Sequence, residues 1–390
     1  MARLFALILW IGAGNASAQL PASGTLSQTD GPLFRAEVAR VEKMLATASD
    51  RDSIVYQMAR TFAAGKQWPD TIEWLRKIAE RKSGLDPSRD SIFAALRGTK
   101  EFAQVVAAVR DATPPVSHST AAFKVSEGDL APESMAYDSK RGNFYFGSMR
   151  KGKVLRCTAS GDCSQFATGL GVVLGIKVQG DALWLLDNSD KESALLHYDL
   201  TSGRVVRKYS VTGEGHNFND LVLAPDGGIY LTDTRAAAVW NLERGASELK
   251  RFSGKFEFAN GIALSPDLSL LYVSTFGDGI SVVDLKTGAS APIGKPGNLC
   301  LSTIDGLYFH RGALIAIQNG FMSPRVVRLI LSRDLRSIER FDVLERRNPS
   351  FEGVTTGVID GDDFYYMANI QDDKKASFDP ITILKIHLLD

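Results

Sequence analysis

Residues 218–232 read FNDLVLAPDGGIYLT, and residues 259–275 read ANGIALSPDLSLLYVST. Each runs from an amide-bearing start through an apolar strand and a Pro-Asp turn into a strand rich in aromatic and β-branched residues. The same grammar recurs from residue 130 to the C-terminus. Second strands fall at Phe144-Tyr145-Phe146, Leu183-Trp184-Leu185, Ile229-Tyr230-Leu231, Leu271-Tyr272-Val273, Leu314-Ile315-Ala316 and Phe364-Tyr365-Tyr366. First-strand positions at matching phase are Glu133, Gly175, Asn219, Asn260, Asp305 and Gly353, spaced 42, 44, 41, 45 and 48 residues apart. That spacing is one propeller blade, so residues 121–390 are predicted to form a six-bladed β-propeller. The last blade reaches the C-terminus with only its third strand, 381–388. Ala122-Phe123-Lys124-Val125 can supply the fourth and close the ring.

Residues 31–112 change period. Phe34, Val38, Val41 and Leu45 share one helical face, as do Phe102, Val105, Val106 and Val109. Pro69-Asp70 reads as a helix start, Gly84 as a stop and Asp86-Pro87 as another start. Tyr56 to Gly84 resembles one degenerate tetratricopeptide hairpin. A single such hairpin reads either as a docking surface for a protein partner or as a helical cap on the propeller. Residues 113–120, with Pro114-Pro115, form the linker. The fold class is therefore mainly β, with a small helical, tetratricopeptide-like domain in front.

The N-terminus has Arg3, a short apolar run from Leu4 to Ile11, and Ala16-Ser17-Ala18 before Gln19. This pattern predicts a signal peptide over 1–18, a flexible segment over 19–30, and an exported, periplasmic or secreted protein without a membrane span. In an oxidising compartment a disulfide can pin the hairpin between Cys157 and Cys163, leaving Cys300 as a buried thiol. The 45 basic and 45 acidic residues balance, which argues against a nucleic-acid partner.

Inner strands line a propeller's channel. Near their starts stand Glu133, Asn219, Asp220, Asn260 and Asp305. Singly, a Glu before a strand is a solvated residue, and Asn-Gly or Asp-Gly is a turn. At one phase of different blades they become a converging set of oxygens. Carboxylates on one axis repel unless a cation sits between them, and oxygen-only ligands suit calcium. Asp187, Asn188, Asp233, Asn319, Glu352 and Asn369 also lie near strand ends. Trp184 and Trp240 read as blade-packing aromatics.

The propeller resembles the senescence-marker-protein-30, gluconolactonase and luciferin-regenerating-enzyme family. The resemblance rests on Pro132-Glu133-Ser134, Phe218-Asn219-Asp220 with Ala224-Pro225-Asp226-Gly227, Ala259-Asn260-Gly261 with Ser265-Pro266-Asp267, and Ile304-Asp305-Gly306. It implies one divalent cation, usually calcium, on Glu133, Asn219, Asn260 and Asp305. Asp305 would also be the acid/base, and the chemistry would be hydrolysis of a lactone or small ester. Two positions depart from the family. Asn217 stands where sugar-lactone members carry Arg, and Leu174 precedes Gly175 where paraoxonase-like members carry His. Asn217, Asp220 and His216 remain candidates for contact with a small-molecule substrate. The competing reading is a non-catalytic scaffold.

Overall fold

The computed structural model describes residues 31–252, 254–371 and 378–388; the expected signal peptide (1–18) and segment 19–30 lie outside them. The β-rich part forms six four-stranded sheets. Five are continuous stretches of chain, spanning 132–168, 172–212, 218–251, 262–292 and 304–346. The sixth is built from both ends of the propeller, because Thr120–Val125 pairs with Ile381–His387. Backbone hydrogen bonds thus close the ring as expected. Cys157 and Cys163 are bridged across the first blade's outer hairpin, and Cys300 is a buried thiol.

Four inner strands slip register at one place. The slips lie between Pro132 and Met135, Val173 and Ile176, Phe218 and Leu221, and Ile304 and Leu307. A bulge re-aims the side chains it contains. Those residues are Glu133-Ser134, Leu174-Gly175, Asn219-Asp220 and Asp305-Gly306. This corrects the alignment in two blades. Leu174, not Gly175, matches Glu133 in the second blade. In the sixth, Thr355 replaces Gly353, because the inner strand starts only at Gly357. Gly261 shows why a glycine follows Asn260. A Cβ there would lie 2.6 Å from the Asp305 carbonyl oxygen of the next blade, a clash with backbone.

The helices are α1 (Pro32–Thr47), α2 (Arg51–Ala64), α3 (Trp68–Arg81) and α4 (Lys100–Ala112). The helix expected from Asp86-Pro87 is instead two 3₁₀ turns, Pro87–Arg89 and Ser91–Leu96. Asp86 and Asp90 accept the N–H groups of Ser88 and Ile92, local bonds that compete with an α-helix. α3 ends before Gly84, at Arg81, where Lys82 turns left-handed. No helix among the described residues is long and apolar enough to cross a membrane.

The helical cap packs on the face where the inner strands begin, over the fourth and fifth blades. Tyr56 stacks on Phe321 at 5.2 Å, and the Arg60 guanidinium lies 4.2 Å from the same ring centre. Asp86 N–H donates to Phe321 O and Ser323 N–H to Gly84 O, both at 2.7 Å. Met322 and Cys300 join the core of α2, α3 and α4. Asp50 lies buried in this joint, accepting Leu301 N–H at 3.0 Å, with the Lys295 ammonium 3.6 Å away.

Burial raises the Asp50 carboxyl from 3.8 to about 6, although Lys295 draws it down. An acid whose folded value is raised costs stability above that value and releases the cost as pH falls towards its unfolded value. The gap corresponds to about 3 kcal/mol at neutral pH. Wild type should therefore gain on Asp50→Asn by about 1–3 kcal/mol between pH 7.5 and pH 4.5, measured by urea unfolding. A difference independent of pH would contradict this account.

Candidate metal and active site

The starts of the inner strands and the ends of the second strands carry a belt of polar groups around the channel mouth, and these clasp blade to blade. Ser134 Oγ donates to Leu174 O, and Asn188 Nδ2 donates to Phe218 O at 2.9 Å. Thr234 Oγ1 donates to Ala259 O at 2.6 Å, and Asn260 Nδ2 to Asp305 Oδ1 at 2.7 Å. Asn319 Nδ2 donates to Val354 O at 2.8 Å, and Thr356 Oγ1 to Glu133 O at 2.6 Å. Every junction of the ring is bridged. These polar residues therefore hold the ring together.

Within the belt, Asp305 is the most fully held. Its second oxygen accepts Asn319 Nδ2 at 2.5 Å. Burial still raises its carboxyl to about 6, against the two amide bonds. Glu133 is pushed well above the usual carboxylate range, first by burial and then by the charges of Asp305 and Asp220. These three carboxylates therefore share one field. Asn219 turns its amide to Thr234 at 3.0 Å. Asp220 accepts the Lys177 ammonium at 3.1 Å, and Lys177 lies 5.5 Å from the Tyr308 ring centre.

Among the described residues, three buried oxygens at this mouth have no hydrogen-bond partner: Glu133 Oε2, Asp220 Oδ2 and Asn319 Oδ1. All are acceptors, and a buried acceptor without a donor costs about 1–3 kcal/mol. A hard cation is the group that satisfies such a set, so the residues fit a divalent ion. Among the described residues, the three acidic or thiol groups whose ligand atoms lie within 4.8 Å of one another are Asp50, Asp52 and Cys300, not the channel carboxylates. Asp52 pairs with Arg81 and Asp50 with Lys295, so that group is the joint between cap and propeller. A channel cation would accordingly draw on amide oxygens together with carboxylates.

Other expected residues are accounted for locally. His216 Nδ1 lies 2.6 Å from Asp233, with its ring against Phe218 and Trp240, over the body of the third blade. Asn217 is buried; its N–H donates to Asp233, and its carbonyl accepts from Thr234. Asp187 accepts Gly171 N–H and Asp233 accepts Asn217 N–H across their blades, and Asp233 also closes a turn on Ala236. Asn369 accepts Thr382 N–H, and Glu352 is exposed. Trp184 stacks on His197, and Trp184 and Trp240 both pack against the core between the second and third blades. Lys177 escaped the sequence reading. Its signal was a lone charge in the run Val172–Gln179, two residues beyond Gly175 on the same face.

Residues 131–296 match the family described as SMP-30/Gluconolactonase/LRE-like region. Over that span, which is less than half of the chain, the propeller is similar to this family. The matched span carries Glu133, Asn219 and Asn260 and ends before Asp305. No curated protein sequence matches the chain. Among solved structures, a luciferin-regenerating enzyme is 17% identical, with a TM-score of 0.50 over 70% of this chain and 95% of that one. The major allergen of Malassezia sympodialis is 16% identical, with a TM-score of 0.53 over 67% and 95%. A gluconolactonase from Xanthomonas campestris is 17% identical, with a TM-score of 0.49 over 70% and 97%. Likeness at these identities speaks to fold alone.

Proposed function

We propose that the protein is a divalent-cation-dependent hydrolase of a lactone or small ester, with calcium held at the channel mouth. The observation that carries this reading is the set of unpartnered buried oxygens on Glu133, Asp220 and Asn319 beside the doubly held Asp305. The matched family, whose description names gluconolactonase, agrees with it.

Glu133, Asn219, Asn260 and Asp305 would hold the ion. When bound, the cation supplies electrophilic polarisation of a substrate carbonyl and of the oxyanion that develops there. The chain supplies the rest. Asp305, raised to about 6, is a carboxylate near neutral pH with enough basicity to take a proton from attacking water. The amides of Asn260 and Asn319 fix its plane. Leu174, packed with Ala131 and Met149, gives the mouth one apolar wall against which the uncharged part of a substrate can lie. Export to the periplasm or beyond is part of the same proposal, supported by the Cys157–Cys163 bridge and the N-terminal pattern.

The test is metal content by mass spectrometry on protein purified without chelator, followed by a lactone screen read by acid release at constant pH. One calcium per chain and turnover abolished by chelation are expected. Protein that takes up no cation even from added calcium would leave the scaffold reading in its place.

A further inference from the structure

Three carboxylates face the channel mouth, and one ammonium answers them. Lys177 comes from the inner strand of the second blade, reaches Asp220 of the third, and stands over Tyr308 of the fifth. Asp220 is also anchored by Leu221 N–H at 2.8 Å on the oxygen that Lys177 touches, so its other oxygen is the unpartnered one. With Asp220 paired, Glu133 and Asp305 are the two carboxylates of this group that no side-chain cation meets among the described residues, and a bound cation would hold both ionised. Two negative charges match one divalent ion.

We propose that Lys177 sets the charge of the channel site and thereby the valence of the cation it accepts. This rests on the functional reading above. Removing the ammonium would leave the charge of Asp220 unbalanced beside the site, which favours a trivalent over a divalent cation. An added unit of negative charge beside the site acts on +3 more than on +2. At the effective dielectric of a partly buried site this amounts to roughly tenfold or more in relative affinity.

The experiment measures Ca²⁺ by calorimetry and Tb³⁺ by sensitised luminescence on wild type, Lys177→Met and the double variant Lys177→Met/Asp220→Asn. Lys177→Met should shift the Tb³⁺/Ca²⁺ preference towards Tb³⁺ by about tenfold or more. The double variant, which removes both charges of the pair, should return to within about threefold of wild type. Should Lys177→Met fail to fold, Asp220→Asn carries the test with the opposite sign, since it leaves the ammonium unbalanced and must turn preference away from Tb³⁺. Wild type that binds Ca²⁺ beside an unchanged ratio in these variants overturns the role of Lys177 alone. Wild type that binds neither ion overturns the functional reading, and this inference with it.

Discussion

Asp305→Asn is expected to abolish calcium binding and to lower turnover of any lactone substrate by at least about 10²-fold. Asp305 accepts one amide hydrogen bond on each carboxylate oxygen, from Asn260 and from Asn319. A side-chain amide in its place offers one acceptor and one NH₂ group. One of the two neighbouring asparagines must then turn away or face a donor. The site loses a charge, a proposed ligand and its candidate base together. The fold should suffer less, because removing a buried carboxyl held near 6 relieves a cost at neutral pH. The metal-free melting temperature should therefore stay close to that of wild type. What disappears is the stabilisation by added calcium, which for a bound ion at a hundred times its Kd is about 2.7 kcal/mol. Full calcium stabilisation together with full turnover in this variant would remove Asp305 from the site.

The propeller was legible because a blade is a local unit repeated. Strand, turn and strand recur at a fixed spacing whether or not the ring is in view, and the unpaired Ala122–Val125 announced how it closes. The register inside each blade was not legible. A bulge adds one residue to one strand of a pair, and no composition marks it within a run such as Val172–Val173–Leu174–Gly175–Ile176. Aligning on Gly175 therefore set the second blade one residue out, and hid Leu174 and Lys177 as the residues that this blade brings to the mouth. In the sixth blade the long connection before Gly357 moved the phase from Gly353 to Thr355. The place of the oxygen-bearing residues near the starts of the inner strands was readable. Their second task, clasping neighbouring blades, was not, since Asn260 and Thr234 meet partners from other repeats. The helix stripes were sound, but Asp86 and Asp90 diverted the chain between α3 and α4 into turns because their side chains satisfy nearby backbone N–H groups.

The second large effect is expected far from the carboxylates, at Met322→Ala. Met322 is fully buried where the cap meets the fifth blade, pairs with Leu85, and belongs to the core of α2, α3 and α4. Truncating such a methionine costs about 2–5 kcal/mol, depending on how far the cavity collapses. The consequence for the site follows from one turn of chain. Met322 N–H donates to Asn319 O at 3.0 Å, and Asn319 spans the belt from Asp305 to Val354. The cap therefore grips the loop that presents Asn319. Loosening that grip should weaken calcium binding without removing a ligand, by about 0.5–2 kcal/mol or roughly 2–30-fold in Kd. Leu195→Ala is the control, because Leu195 is equally buried in the second blade and packs in a core that includes no residue of the cap. It should lose comparable stability while binding calcium as wild type does. Calorimetry on both variants, well below their melting temperatures, separates the outcomes. If Met322→Ala binds calcium like Leu195→Ala, the cap is a passive cover. If it alone binds more weakly, the helices are part of what holds the channel mouth in shape.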